Sequence, residues 1–215
     1  MLVSCWSVKG GVGTTVVAVS MALGAADPAR PALLVDLAGD GPSCLGVAEP
    51  ATPGVAEWLG AEGAAPDALV RLEAPVTRGL HLLHRGVGPL AVERATLLLR
   101  LLASSGRTVI VDCGRIDESA AGRRFAAEAD RSVLVTRLCM LAARRAAAAP
   151  VRPSGIVVVR EPGRFLSVKD VEEAVGAPVV ADLAVNAAMA RAVDAGLVVG
   201  RLPRGVAAAL GSVAA

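Results

Sequence analysis

The sequence predicts an α/β fold, a three-layer arrangement in which helices cover both faces of a mostly parallel sheet. Two observations carry this expectation. Short β-branched runs alternate with longer Ala/Leu stretches along the 215 residues, the order expected when strands and helices alternate. Several runs, such as Thr-Val-Ile-Val-Asp at 108–112, are apolar at consecutive positions, so such strands must be buried from above and below.

In chain order, strands are expected over 2–7, 32–36, 79–83, 108–112, 132–136, 155–160 and 179–183. Helices are expected over 14–26, 90–103, 119–128, 141–149, 168–175 and 187–194, with a short one near the C-terminus. Ser167 stands three residues before Asp170, with Gly176 beyond the helix, a capping-box-like start and a glycine stop. The segment 41–75 carries Pro42, Pro50, Pro53, Pro66 and Pro75 and has weak periodicity. It reads as loops with one or two short helices.

Length and composition exclude several classes. The chain is long enough for one sizeable core and short for two, and it shows no repeat or long linker, so residues 1–215 are read as one domain. With 54% hydrophobic residues and a net charge of +2, it is not a disordered protein. The only uncharged run near membrane-spanning length, 10–26, is broken by Gly10, Gly11 and Gly13, which argues against an integral membrane protein. The same glycines stand where the apolar core of a secretory leader would begin, although Lys9 and Ala25-Ala26 superficially suit one. Cys5, Cys44, Cys113 and Cys139 fall in separate segments without a C-x-x-C pair, which fits a reducing cytoplasm and suggests neither zinc nor disulfides.

Charge is unevenly distributed. Residues 1–70 hold 2 basic and 7 acidic side chains, residues 71–164 hold 16 and 8, and the remainder hold 4 and 5. The basic middle reads as solvated helix faces, with an anionic partner as the alternative.

Chemistry concentrates in Val8-Lys9-Gly10-Gly11-Val12-Gly13-Thr14-Thr15, between the first strand and the first helix. Glycines here let backbone amides converge on a phosphate at the positive end of a helix. The strict G-x-x-x-x-G-K-[ST] pattern fails, because Val8 occupies its first glycine position and Thr14 its lysine position.

The loop resembles that of the ParA/MinD family of P-loop ATPases, whose variant reads K-G-G-x-x-G-K-[ST]. Lys9 matches the extra lysine, Gly10, Gly11 and Gly13 the glycines, and Thr15 the magnesium-binding hydroxyl. Leu-Leu-Val-Asp-Leu at 33–37 resembles the family's second strand and switch I. Val-Ile-Val-Asp-Cys-Gly at 109–114 resembles its Walker B strand and switch II, and Val-Leu-Val-Thr at 133–136 the next core strand. The nearest branch is the pilus-assembly type, CpaE/TadZ, whose loop often lacks the second lysine.

The resemblance implies a P-loop NTPase fold, ATP or ADP with Mg as cofactors, and a nucleotide-dependent homodimer. It places Lys9, Gly10, Gly11, Val12, Gly13, Thr14, Thr15 and Val16 at the nucleotide, and Thr15, Asp36 and Asp112 at the metal, the two aspartates indirectly. Lys9 and Asp36 are the residues it assigns to catalysis, Lys9 by reaching the phosphates of a partner subunit. Two departures matter. Without the lysine at position 14, binding loses a charged hydrogen bond, roughly 10- to 150-fold in affinity. The family's Asp-x-Asp pair reads Asp36-Leu37-Ala38 here, and deleting a positioned general base costs about 10²- to 10⁴-fold in rate. Asp40 substitutes only if the loop bends, so slow or absent hydrolysis is expected.

The implied role is a spatial-positioning or assembly factor for a membrane-associated machine such as a Tad/Flp-type pilus. Such a protein would be cytoplasmic and recruited to membrane or pole through a protein partner, because the tail 206–215 lacks the basic amphipathic pattern of an anchor. Two alternatives stay open. One is an active partition-type ATPase binding DNA through Arg123-Arg124 and Arg144-Arg145, although 2% aromatic content leaves little stacking capacity. The other is a scaffold that has abandoned nucleotide.

Three other segments carry partial site signatures. Gly11-x-Gly13-x-x-Val16 with Asp36 twenty residues later approximates a dinucleotide fingerprint, but Val16 stands where Gly or Ala is needed. His81 and His84 have metal-clasp spacing, yet a strand points them to opposite faces. Ser43 misses the G-x-S-x-G spacing by one residue.

Overall fold

The computed structural model describes residues 1–214. Its eight strands are β1 (Leu2–Ser7), β2 (Ala32–Asp36), β3 (Ala74–Thr77), β4 (Leu80–Leu83), β5 (Val109–Arg115), β6 (Arg131–Thr136), β7 (Gly155–Arg160) and β8 (Val179–Ala184). They form one sheet in the order β3-β4-β2-β5-β1-β6-β7-β8. Every pairing is parallel except the edge pair of β3 with β4.

Strand alternation builds two apolar layers. Leu33, Val35, Val109 and Val111 face one, which also holds Trp6, Phe125, Val171 and Val175. Leu34 and Ile110 face the other, with Val17, Met21, Met189 and Leu210. The first layer is covered by α3 (Val55–Gly60), α4 (Ala95–Ser104), α5 (Ala120–Glu128), α6 (Met140–Ala147) and α7 (Val168–Val175). The second is covered by α1 (Thr14–Gly24), α2 (Gly41–Leu45), α8 (Ala187–Asp194), α9 (Val198–Arg201) and α10 (Arg204–Val213). The buried indole of Trp6 is accommodated because its N–H donates to Ser132 Oγ at 2.9 Å, and that hydroxyl donates onward to the Ala126 carbonyl.

The expected α7 is observed with its caps. Ser167 N–H donates to Asp170 Oδ2 at 2.7 Å, Asp170 N–H donates back to Ser167 Oγ at 3.2 Å, and Gly176 closes the helix at φ 75°. The segment 41–75 has the two short helices expected of it and departs from expectation only towards its end. It holds two helices and a 3₁₀ turn (Pro66–Leu72), and then contributes β3, which the sequence reading missed. Ala-Pro-Val-Thr lacks strand alternation, and Pro75 is tolerated only because this strand lies at the sheet edge. The helix expected over 90–103 begins at Ala95. Before it, Arg94 stacks over the Trp58 ring at 4.2 Å and donates to the carbonyls of Trp58, Ala61 and Ala64, which ties this segment to the end of α3.

The expected short C-terminal helix is the ten-residue α10, packed on α1. The two backbones approach closely at Gly24, where a Cβ would stand 2.7 Å from the Ala207 carbonyl oxygen and 3.2 Å from Gly211 Cα. Gly24→Val is therefore expected to push α10 off α1 and cost about 1–3 kcal/mol. Urea denaturation that finds the variant as stable as the parent would refute this packing. Among the described residues, no helix is long and apolar enough to cross a membrane.

Candidate functional site

At the carboxyl ends of β1, β2 and β5 the loops surround a cavity of about 910 Å³. This is the place where open parallel sheets bind ligands, because strand order reverses about the central strand and the flanking loops diverge. Gly10, Gly11, Gly13, Thr14, Thr15 and Val16 form one wall. Gly11 (φ 70°) and Gly13 (φ 96°) hold left-handed conformations, and a Cβ built on either would meet no atom within 4 Å, so the space before the loop is open. Thr14, Thr15 and Val16 open α1 and have no intrahelical acceptors for their amides. Among the described residues, the amides of Gly10, Gly11 and Gly13 also lack a hydrogen-bonded acceptor. The result is a set of backbone donors without acceptors bordering an open space at a helix N-terminus, the setting in which an anion is held.

Two members of the expected loop set stand elsewhere. Val12 buries its side chain in the apolar layer at 1% exposure and contributes only backbone. Lys9 is half-buried and is not among the cavity-lining residues. Its charge is felt instead by Glu161, just beyond β7, which pairs with Arg137 and Arg164.

The two aspartates lie side by side, Asp36 opposite Asp112 across the β2–β5 pair; Asp36 ends β2, whereas β5 runs on past Asp112, the end expected for it, to Arg115. Asp36 is fully buried. Its Oδ1 accepts from Ala38 N–H at 2.9 Å and Gly39 N–H at 2.7 Å, and its Oδ2 from Gly41 N–H at 2.8 Å. Burial pushes its carboxyl upward and these three amides oppose the push. Asp36 thus holds the 37–41 loop and does not line the cavity. A carboxylate committed in this way is poorly placed to take a ribose, which removes the dinucleotide reading.

Asp112, likewise buried behind the cavity lining, differs in its hydrogen bonds. Its Oδ1 accepts from Gly114 N–H at 3.0 Å, while Oδ2 is buried with no hydrogen-bond partner among the described residues. Burial, followed by the Asp36 charge, raises its carboxyl to about 7, and the adjacent Thr15 hydroxyl opposes the rise without closing a bond of normal geometry. A buried carboxylate oxygen lacking a donor, beside a hydroxyl on the cavity wall, fits a hydrated divalent cation. Thr15 and Asp112 would hold it, with Asp36 behind them. Among the described residues there is no cluster of three or more His, Cys, Asp or Glu that would bind a metal unaided.

Ala38 lines the cavity without a functional group, and Asp40, two residues on, lines it as well. The 37–41 loop is also fastened from outside. Arg85 donates to the Leu37 carbonyl at 2.5 Å and packs its Cδ 3.2 Å from where a Gly39 Cβ would be. Arg85 and Arg115 are cavity-lining cations that sequence reasoning missed. The available signal was positional, since Arg115 ends β5 and Arg85 lies two residues beyond β4, both strands leading towards the cavity. Asp194 from α8 enters the lining with no sequence signal, because only the fold brings α8 there.

The remaining candidates lie apart. His81 accompanies Glu73 at 3.1 Å at the sheet edge, whereas His84 is buried. Arg123 donates to the Ile116 carbonyl, and Arg124 binds Thr96 and Glu128, so that pair is engaged within the protein. Arg144 and Arg145 are exposed. Ser43 lines the cavity, with no histidine in the lining.

Comparison with known proteins gives a consistent fold. No protein-family model matches the chain, and no curated protein matches it by sequence. Solved structures match over nearly its whole length. A ParA family ATPase from Chlorobium tepidum is 18% identical, with TM-score 0.76 over 99% of this chain and 96% of that one. The septum site-determining protein MinD of Pyrococcus horikoshii, complexed with Mg-ADP, is 14% identical, with TM-score 0.77 over 98% and 93%. An aspartate-to-alanine variant of McdA from Cyanothece, in complex with ATP, is 17% identical, with TM-score 0.68 over 98% of this chain and 95% of that one. The chain has the fold of these ParA/MinD-type P-loop ATPases.

Proposed function

We propose that this chain is a ParA/MinD-like nucleotide-dependent switch that acts as a positioning or assembly factor, binding ATP or ADP with Mg and hydrolysing it slowly or not at all. The observation that carries the reading is the open amide cradle of residues 10–16, lying beside the unpartnered buried oxygen of Asp112. Its fold-mates include one complexed with Mg-ADP and one with ATP. Magnesium, when bound, would screen the phosphate charges and orient their oxygens. The protein's own part is to present amides, hold Thr15 against Asp112, and exclude water from the apolar side of the cavity with Leu37 and Cys113.

Ala38 supplies neither a base nor an acceptor for water, so the nucleotide serves as a signal of occupancy. In this reading the chain works as one domain, and two copies meet over the nucleotide with Lys9 reaching across, the role implied by the resemblance of its loop. The absence of Lys9 from its own cavity lining is compatible with that role. The 37–41 and 113–118 segments then present a surface to a partner of a membrane-associated machine, of which the Tad/Flp-type pilus is the nearest example by resemblance.

A thermal-shift titration with Mg-ATP, Mg-ADP and Mg-GTP tests this directly. Ligand at one hundred times its Kd adds about 2.7 kcal/mol, expected to raise Tm by roughly 5–10 °C in a chain of this size. A flat response to all three leaves only a scaffold. Turnover at rates ordinary for P-loop ATPases that is lost in Lys9→Ala would contradict the slow switch.

A further inference from the structure

The nucleotide reading leaves a physical problem, because a polyphosphate tail carries several negative charges and position 14 offers a neutral hydroxyl. We propose that Arg115, at the end of β5, supplies the cation that grips this tail, and that Asp117 and Glu118 hold it in reserve until the anion arrives. The proposal rests on the nucleotide reading and adds to it a residue that has no counterpart in the glycine-loop motif.

Local geometry brings Arg115 to the loop. Residues of β1 and β5 pair in step through Cys5 with Asp112, and then the register shifts so that Trp6 faces Gly114 and Ser7 faces Arg115. Cys113 is the extra residue of a bulge, a device that bends a strand and re-aims the side chains after it. Gly114 at φ 60° completes the turn. The outcome is that Arg115 lines the cavity together with the glycine loop, its Cδ 3.7 Å from where a Cβ on Gly10 would stand.

Its resting partners suit a reserve. Arg115 Nε and Nη2 donate to Asp117 at 3.1 and 2.5 Å, and Nη1 lies 2.6 Å from Glu118. The side chain is 32% exposed and those of Asp117 and Glu118 are 55% and 62% exposed. Ion pairs in such settings are weak, whereas a guanidinium bound bidentately to phosphate in an excluded cavity is among the stronger polar contacts. Glu118 itself lines the cavity, so an arriving phosphate both attracts Arg115 and repels its jailer. Arg85 is the competing cation in the lining, but its guanidinium is committed to the Leu37 and Gly88 carbonyls and its stem packs on Gly39.

Calorimetric titration of the full chain with Mg-ATP and with Mg-ADP, at about 0.15 M salt, decides the matter. Arg115→Ala is expected to weaken both by about 10- to 150-fold, and Arg115→Lys to recover part of the loss. The paired change Asp117→Asn with Glu118→Gln should tighten binding by about two- to five-fold, because the arginine is freed in advance. That pair keeps the proposal testable even if Arg115→Ala folds poorly, a point its ligand-free melting curve establishes. Tight binding by the parent and unchanged binding by Arg115→Ala would overturn the assignment of Arg115 and leave the nucleotide reading intact. A loss on Arg85→Ala with none on Arg115→Ala would transfer the role to Arg85. A parent chain that binds neither nucleotide removes both readings together.

Discussion

Replacing Asp36 with alanine is expected to destabilise the protein by about 2–4 kcal/mol and to release the 37–41 loop. The carboxylate accepts three backbone amides, and the Gly41 bond is fully buried, so its removal strands donors that water reaches poorly. Asparagine is not an adequate replacement. Its oxygen can keep the Ala38 and Gly39 bonds, but its amide would point a donor at the Gly41 donor. Urea denaturation should therefore place Asp36→Asn close to Asp36→Ala, and limited proteolysis should cut both variants within 37–41. Stability equal to the parent in both would show that the loop is held by other contacts, Arg85 first among them.

The second large effect concerns Asp112 and has the opposite sign. Its carboxyl titrates at about 7 in the folded protein against an ordinary value of 3.8, so the folded state binds the proton more tightly than the unfolded chain. Stability from this group is full below about pH 4, falls as pH rises towards 7, and then levels off. A displacement of about three pH units corresponds to roughly 4 kcal/mol as an upper bound. Asp112→Asn removes the ionisation and should be more stable than the parent by a few kcal/mol at pH 8, the advantage shrinking to nothing near pH 4. Denaturation curves at both pH values measure this difference, and a pH-independent difference would contradict it. If the proposed Mg-nucleotide site is right, the same variant should show a smaller thermal shift with Mg-nucleotide than the parent, since a metal shell requires the ionised carboxylate.

These two residues also show how far the site was legible in the sequence. Asp36 and Asp112 were identifiable because each closes a short run of buried β-branched or leucine residues, a pattern that survives folding unchanged. The sequence could not distinguish their roles. The distinction lies in where the following amides turn, and the backbone of 37–41 closes on Asp36 whereas that of 113–115 leaves half of Asp112 bare. The central parallel strands were legible for the same reason as the aspartates, being apolar at consecutive positions, whereas β8, half exposed and carrying Asp182, was marked mainly by the residues that bound it. The edge strand β3 was not, since Pro75 and a lack of alternation conceal a segment recruited by its neighbour. Arg115 was hidden by a bulge, which shifts register without a compositional mark, and Asp194 by the packing of a distant helix.

Ala38 and Gly114 meet with little to spare, a Cβ at 114 falling 3.1 Å from that of Ala38. A side chain at position 114 would press on Ala38, so the start of the 37–41 loop and the end of β5 can lie this close only while both positions stay small.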